Sequence, residues 1–401
     1  MRRGGAALAV VLSTCLVAIS AGSSPGALAH ISATAPVHRA CGGAVPPGWV
    51  RCFAEWRVGG SRARATGVLA PGIGLPESGY SPADIASAYQ LDTTRGSGQT
   101  VAIVDALDNP KVESDLATYR HAWGLPPCTS SNGCFRKVNQ RGGSTPPFPD
   151  PGWGVEIALD VQAVSAACPR CNILLVEADD PSLINIGKSV NTAVRLGADI
   201  VSNSYGTDEF NGILGLAATY YTHPGVAQVA SSGDVGFGPA LFPAVSDKVI
   251  GIGGTSLTKT STGDWHERAW FGAGSGCSAW VDKPAWQHDD HCQMRTVADV
   301  SAVADPDTGL AVYDTFGLGP DNGWIEVGGT SLSSPLVGGM IGLAGNADRL
   351  VKARWIYWHR SGLHDVVGGS NGYCGGDYLC NAKKGYDAPT GLGSPRGVSA
   401  L

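Results

Sequence analysis

Four side chains sit in contexts that could do chemistry together. Ser331 lies in Val327-Gly-Gly-Thr-Ser331-Leu-Ser-Ser-Pro335, which runs into the small-residue stretch 336–344. Small residues let a chain turn sharply into a helix, where a serine hydroxyl is exposed and free backbone N–H groups can bind an anion. A serine nucleophile with an oxyanion hole needs that arrangement, although an ordinary helix cap also favours Thr-Ser. Glu156 and Asp160 stand four apart in Gly154-Val-Glu156-Ile-Ala-Leu-Asp160, on what reads as a helix over 154–167, so both carboxylates share one face. Two like charges that close weaken a helix unless they share a proton or gain a partner. A solvated acidic face is the alternative, but Ile157, Leu159, Val161 and Val164 leave little polar surface, and no Lys or Arg lies in the helix to compensate. Asp234 ends Ala230-Ser-Ser-Gly-Asp234, directly after the apolar run 226–230. Alone, Gly-Asp is a turn; a carboxylic acid there could donate to an oxyanion only while protonated.

These residues need a scaffold that brings distant segments together. Val101-Ala-Ile-Val104 is a continuous apolar, β-branched run that reads as a buried strand, and a helix follows over 113–123. Further strands are predicted at 172–177, 199–204, 226–230 and 248–252, with helices at 186–196 and 213–221 between them. Alternating strands and helices imply an α/β, doubly wound, mostly parallel sheet with helices on both faces. In such sheets ligands bind at the carboxyl ends of the strands, where most of these motifs fall.

The N-terminus reads as an export signal. Arg2 and Arg3 precede an apolar run from Ala6 to about Ser20, followed by Ala27-Leu28-Ala29. Residues 1–29 are therefore expected to be a signal peptide, with a secreted, extracellular product that has no membrane contact after its removal. Residues 30–80 read as a short, irregular N-terminal or pro-segment, rich in Pro and Gly. The net charge of −6 and the lack of Lys/Arg runs argue against nucleic acid or anionic membrane as partners. Outside the signal, Cys41/Cys52, Cys128/Cys134, Cys168/Cys171, Cys277/Cys292 and Cys374/Cys380 are neighbours along the chain. Five local disulfides are the simplest arrangement for an exported protein, though sequence does not fix connectivity. Cys168-Pro-Arg-Cys171 could also be a redox or metal half-site, but the other cysteine pairs do not repeat its spacing.

Gly329-Thr-Ser331-x-x-x-Pro335 is similar to the nucleophile motif of subtilisin-like serine peptidases. Those enzymes use a histidine in a His-Gly-Thr context, and none of the nine histidines here is followed by Gly-Thr. With Glu156, Asp160, Asp234 and Ser331 in that order, the chain from about Tyr80 to Leu401 resembles the sedolisin family of serine-carboxyl peptidases, which share the subtilisin fold. The resemblance implies a peptidase domain over 81–401 acting on protein or peptide substrates. In it Ser331 would be the nucleophile, Glu156 the general base, Asp160 its orienting partner and Asp234 the acidic oxyanion donor. Carboxyl groups ordinarily titrate near ~4, so this implies activity in acid. Endopeptidase action is the default expectation, by a monomer; a catalytically silent peptide-binding or cell-surface protein of the same fold is the alternative. Ser202-Asn-Ser204-Tyr205-Gly206 matches the family's substrate-pairing strand, with Tyr205 in place of a tryptophan. The resemblance also implies one structural Ca²⁺, held by the carboxylates of Asp365 and Asp387 and the carbonyls of Val366, Lys383 and Gly385. Sedolisins usually carry a long folded pro-domain, and residues 30–80 are too few for one. Asp307-Thr-Gly309 matches the aspartic-peptidase triplet, but that chemistry needs two copies and one is present.

Overall fold

A computed structural model describes Met1, residues 36–58, Pro76 and residues 78–401. The expected signal peptide and the stretch 59–75 lie outside the described residues.

Three short strands come first: β1 (His38–Arg39), β2 (Arg51–Cys52) and β3 (Glu55–Arg57). This segment differs from the irregular reading of 30–80. Strands of two or three residues are too short to show a period, and β2 and β3 find partners far along the chain, in β8 and β17. The short helix α1 (Pro82–Ala88) follows, capped by a reciprocal Ser81–Asp84 box.

The central sheet is built from β4 (Thr100–Ala106), β5 (Phe135–Asn139), β6 (Asn172–Ala178) and β7 (Ile200–Asn203). After β8 (Tyr205–Asp208) come β9 (Ala227–Ser231), β10 (Leu241–Phe242), β11 (Ile250–Lys259) and β12 (Trp265–Ala269). The sheet order is β12-β11-β9-β7-β4-β6-β5. All neighbours run parallel except the edge strand β12, which is antiparallel to β11. A hairpin of β13 (Gly276–Asp282) and β14 (Met294–Val297) precedes β15 (Val300–Val303), which pairs parallel with β11. The strands are almost wholly buried, which accounts for their unbroken apolar runs.

Helices α2 (Val112–Ala122), α3 (Pro151–Ala167), α4 (Leu183–Arg195) and α5 (Ile213–Tyr220) connect them. The expected α/β doubly wound, mostly parallel architecture is present. Outside the sheet, β16 (Leu310–Asp314) and β17 (Gly323–Gly328) form a hairpin that leads straight into α6 (Thr330–Ala344). Both α3 and α6 are buried almost all round, so neither shows the one-sided pattern of a surface helix. Helix α3 starts three residues before its predicted start, because Asp150 accepts from Trp153 N (2.9 Å) and Pro151 fills the first helical position.

The five neighbouring cysteine pairs are all disulfides, Cys168–Cys171 included, so the redox or metal reading of that pair does not hold. No helix among the described residues is long and apolar enough to cross a membrane.

Candidate active site

Helix α3 carries Glu156 and Asp160 on one face, and burial is complete for both. That excludes a solvated acidic face. A third carboxylate joins them from the sheet: Asp105, at the end of β4, is also fully buried and adds its charge to Asp160. Both oxygens of Asp105, both of Asp160 and Oε1 of Glu156 lack a hydrogen-bond donor. Buried carboxylates with no cationic side chain beside them cannot all ionise, so the cluster must hold protons. Burial raises all three above the ordinary carboxyl range, and their mutual repulsion pushes Asp105 and Asp160 further. Ser331, Ala54 N (2.8 Å) and Phe53 N (3.1 Å) favour the charged form of Glu156 and offset part of that rise. It is therefore the member of the cluster that ionises most readily.

Ser331 occupies the first turn of α6, entered through Gly329. That glycine has φ 95°, and a side chain there would collide with the Phe53 carbonyl oxygen. The Ser331 hydroxyl reaches Ser204 O at 3.2 Å and accepts from Phe53 N at 3.1 Å. Asp234 comes from the loop after β9. Its Oδ1 accepts from Thr330 N (2.9 Å) and Thr330 Oγ1 (2.7 Å), which fixes the carboxyl beside the helix start. Its Oδ2 is buried and has no partner. Burial, followed by the charge of Glu55, raises the Asp234 carboxyl well above its usual range. A protonated Oδ2 next to the Ser331 amide is a hydrogen-bond donor in search of an oxygen.

Tyr205 opens β8, which pairs antiparallel with β2. Its phenol donates to Asn203 Oδ1 (2.6 Å), and Asn203 Nδ2 in turn donates to Val229 O (2.9 Å). The Asp-Thr-Gly triplet serves an unrelated purpose, since Asp307 pairs with Arg57.

A family model described as "Subtilase family" matches residues 156–357, half of the chain, with all four predicted catalytic residues inside it. The chain belongs to the subtilase family. Its relatives include kumamolisin, sedolisin and tripeptidyl-peptidases. Kumamolisin from Bacillus sp. (strain MN-32) is 28% identical over 364 residues, covering 80% of this chain and 63% of its own length. Tripeptidyl-peptidase 1 of Dictyostelium discoideum is 27% identical over 347 residues, covering 74% of this chain and 53% of its own. A solved structure of Pseudomonas sedolisin, a serine-carboxyl proteinase complexed with two molecules of pseudo-iodotyrostatin, superposes with TM-score 0.67 at 26% identity. It covers 80% of this chain and 96% of that one. The resemblance to sedolisins thus holds at the level of family and fold. The chain spans about three-fifths of the kumamolisin sequence and about half of the tripeptidyl-peptidase.

Asp105 was not among the expected site residues. Its signal was present in plain view, an acid closing the apolar run Val101-Ala-Ile-Val104 where only a buried side chain can point.

The residues expected to hold calcium meet at one turn. Asp365 Oδ2 accepts from Gly385 N (2.9 Å) and Asp387 Oδ2 from Lys383 N (3.0 Å), so the two carboxylates grip the 383–387 turn. Asp365 lies close enough to raise the proton affinity of Asp387, which buried solvation loss already raises. Two repelling carboxylates around one turn with backbone carbonyls suit a hard cation. Among the described residues, no cluster of three or more His, Cys, Asp or Glu is arranged for a metal, so any ion here would rely on carbonyl oxygens and water as well.

Proposed function

We propose that this chain is a secreted, acid-active serine-carboxyl endopeptidase. The observation that carries the reading is the buried, cation-free set of carboxyl groups around Ser331, with one unpartnered acid oxygen on Asp234. Ser331 Oγ adds to a substrate carbonyl carbon while its proton passes to ionised Glu156, and Asp160 shares the resulting proton. Protonated Asp234 and the Ser331 amide stabilise the oxyanion. Glu156 then protonates the departing nitrogen; water enters, gives a proton to Glu156 and adds to the acyl ester, and Glu156 returns that proton to Ser331 Oγ as the ester bond breaks. Endopeptidase action is supported by an extended segment pairing with strands on both sides of Ser331, at β8 and at β17. Export is supported by the five disulfides. A structural calcium ion would be held by Asp365 and Asp387 with the carbonyls of Val366, Lys383 and Gly385. It would tie the C-terminal turn to the floor of the sheet, where Ala298 N already donates to Ala388 O (2.6 Å). Casein cleavage from pH 3 to 8, with pepstatin and with a peptide aldehyde, tests the reading. Acid activity that resists pepstatin, yields to the aldehyde and disappears in Ser331→Ala and Glu156→Ala supports it; acid activity that survives Ser331→Ala overturns it.

A further inference from the structure

A cavity of about 650 Å³ opens where three segments meet: the turn between β13 and β14, the end of the short helix α7 (Arg354–Trp358), and the 383–387 turn. That volume falls in the range of small-ligand sites, roughly 300–1,000 Å³. Its lining includes none of the residues gathered around Ser331.

The wall is aromatic. Trp286 and Tyr357 have ring centroids 4.7 Å apart, and Tyr386 continues the row at 6.2 Å from Tyr357 and 6.2 Å from Tyr378. The tyrosine hydroxyls are committed to the protein. Tyr357 Oη donates to Asp299 Oδ1 (3.2 Å), Tyr386 Oη to Ala298 O (3.0 Å) and Tyr378 Oη to Asp289 Oδ2 (2.6 Å). What these side chains offer a ligand is therefore ring surface. Buried Arg295, 5.2 Å from the Trp286 ring, fixes that end of the row. Trp358, 64% exposed, adds a ring at the rim.

The polar groups are of two kinds. The Asp289 side chain is 2% exposed, and its Oδ2 is saturated by Lys283 Nζ (3.0 Å), Thr296 Oγ1 (2.7 Å) and the Tyr378 hydroxyl. Its Oδ1 has no partner. A buried carboxylate oxygen is costly to leave without a donor, so this one marks a place for a ligand hydroxyl or N–H. The rim is basic. Lys283 is taken by Asp289 and His291 by Asp377, whereas Arg360 and Lys384 form no ion pair among the described residues. Against Arg360, Lys383 and Lys384 the lining sets a single exposed acid, Asp290.

Each feature excludes a class of ligand. An apolar ligand leaves Asp289 Oδ1 and the rim cations unmatched. An amine suits the rings and Asp289 but is repelled by the rim. A small inorganic anion uses the rim and leaves the rings bare. A pyranose carrying a carboxylate uses all three: its C–H face lies on the aromatic row, a hydroxyl donates to Asp289 Oδ1, and its carboxylate pairs with Arg360. We infer that this cavity binds an acidic oligosaccharide of the uronic-acid class, and that it fastens the protein to polysaccharides of that kind through a surface separate from Ser331. The binding is independent of the peptidase reading.

The test titrates the full chain with tetragalacturonic acid by calorimetry. Cellotetraose serves as the neutral sugar and poly-glutamate as the anion without a sugar ring. Arg360→Ala and Trp358→Ala alter exposed positions, which keeps the fold, and Trp286→Ala is read beside them. Tetragalacturonic acid is expected to bind, with both controls at least about 10-fold weaker. Arg360→Ala should raise Kd roughly 10-fold or more, the loss of one hydrogen bond to a charged group. Trp286→Ala should raise it by about as much, and Trp358→Ala by less. No heat from tetragalacturonic acid up to about 5 mM overturns the inference. Equal binding of cellotetraose or of poly-glutamate overturns it too, as does an affinity unchanged in Arg360→Ala or in both tryptophan variants.

Discussion

Two buried acid sites in this molecule are handled in opposite ways. Arg295 and Asp299 form a fully buried ion pair at 2.6 Å, and Asp299 also accepts from Gly251 N (2.8 Å) and Tyr357 Oη (3.2 Å). Every charge there has a partner. Around Glu156, three buried carboxyl groups share one region with no cation at all, and most of their oxygens find no donor. The first arrangement ties β14 to β15 and works as structure. The second is costly to ionise and is retained for its protons. Burial of an acid therefore says little until its partners are counted.

The largest effect expected from breaking this contrast is kinetic. Ser331→Ala or Glu156→Gln should lower kcat by about 10⁴-fold or more, read on one fluorogenic peptide with unfolding midpoints close to wild type. Next is the divergence between the two acid sites on conservative amide substitution. Asp299→Asn leaves Arg295 buried with weakened compensation and should cost about 3–5 kcal/mol in urea unfolding. Asp160→Asn removes a repelling buried acid and should leave stability unchanged or raised while kcat falls. Equal losses of stability would erase the distinction. Asp234 gives a finer test. Asp234→Ala removes the oxyanion donor and should cost roughly 10²–10³ in kcat. Asp234→Asn keeps a neutral donor beside Thr330, so it should lose less and carry activity to higher pH than wild type; if both fall alike, Asp234 is not the donor.

Stability itself should depend on pH in an unusual direction. Burial raises Glu156 above the ordinary carboxyl range and Glu177, buried on β6, to about 9. Groups raised on folding contribute stability that is complete below their unfolded values near ~4.5 and lost as pH climbs toward their folded values. The urea midpoint should therefore fall between pH 4 and pH 8; a midpoint that rises over that range would contradict the buried, protonated cluster. The smallest effect is expected at the Asp365–Asp387 turn, where a chelator should lower Tm by on the order of a few degrees and added Ca²⁺ restore it.

Much of the candidate site was legible because each proposed catalytic residue sits at a junction that leaves a local mark. Ser331 follows a glycine pair at a helix start, Asp234 ends a strand, and Glu156 and Asp160 interrupt an apolar helix at a spacing that shares a face. The sheet was legible from its buried apolar runs. Residues 51–57 were not. Their strands pair with residues more than 150 positions away along the chain, and two-residue strands carry no period. Nothing in Glu55-Trp56-Arg57 announces that the arginine is buried, since that depends on Glu326 and Asp307 arriving from the far end of the sequence. Asp105 was readable as a buried acid, but its place beside Asp160 emerges only when β4 and α3 pack. The missing cation around Glu156 is likewise a property of three dimensions.

The central claim is that Ser331 is driven by carboxyl groups alone. The most direct measurement is kcat/KM on a single fluorogenic peptide, from pH 3 to pH 8, on the wild-type chain compared with Asp234→Asn. The account predicts a maximum in acid, a decline toward pH 8, and an extended upper limb in the variant. Full wild-type activity at pH 8 would contradict it.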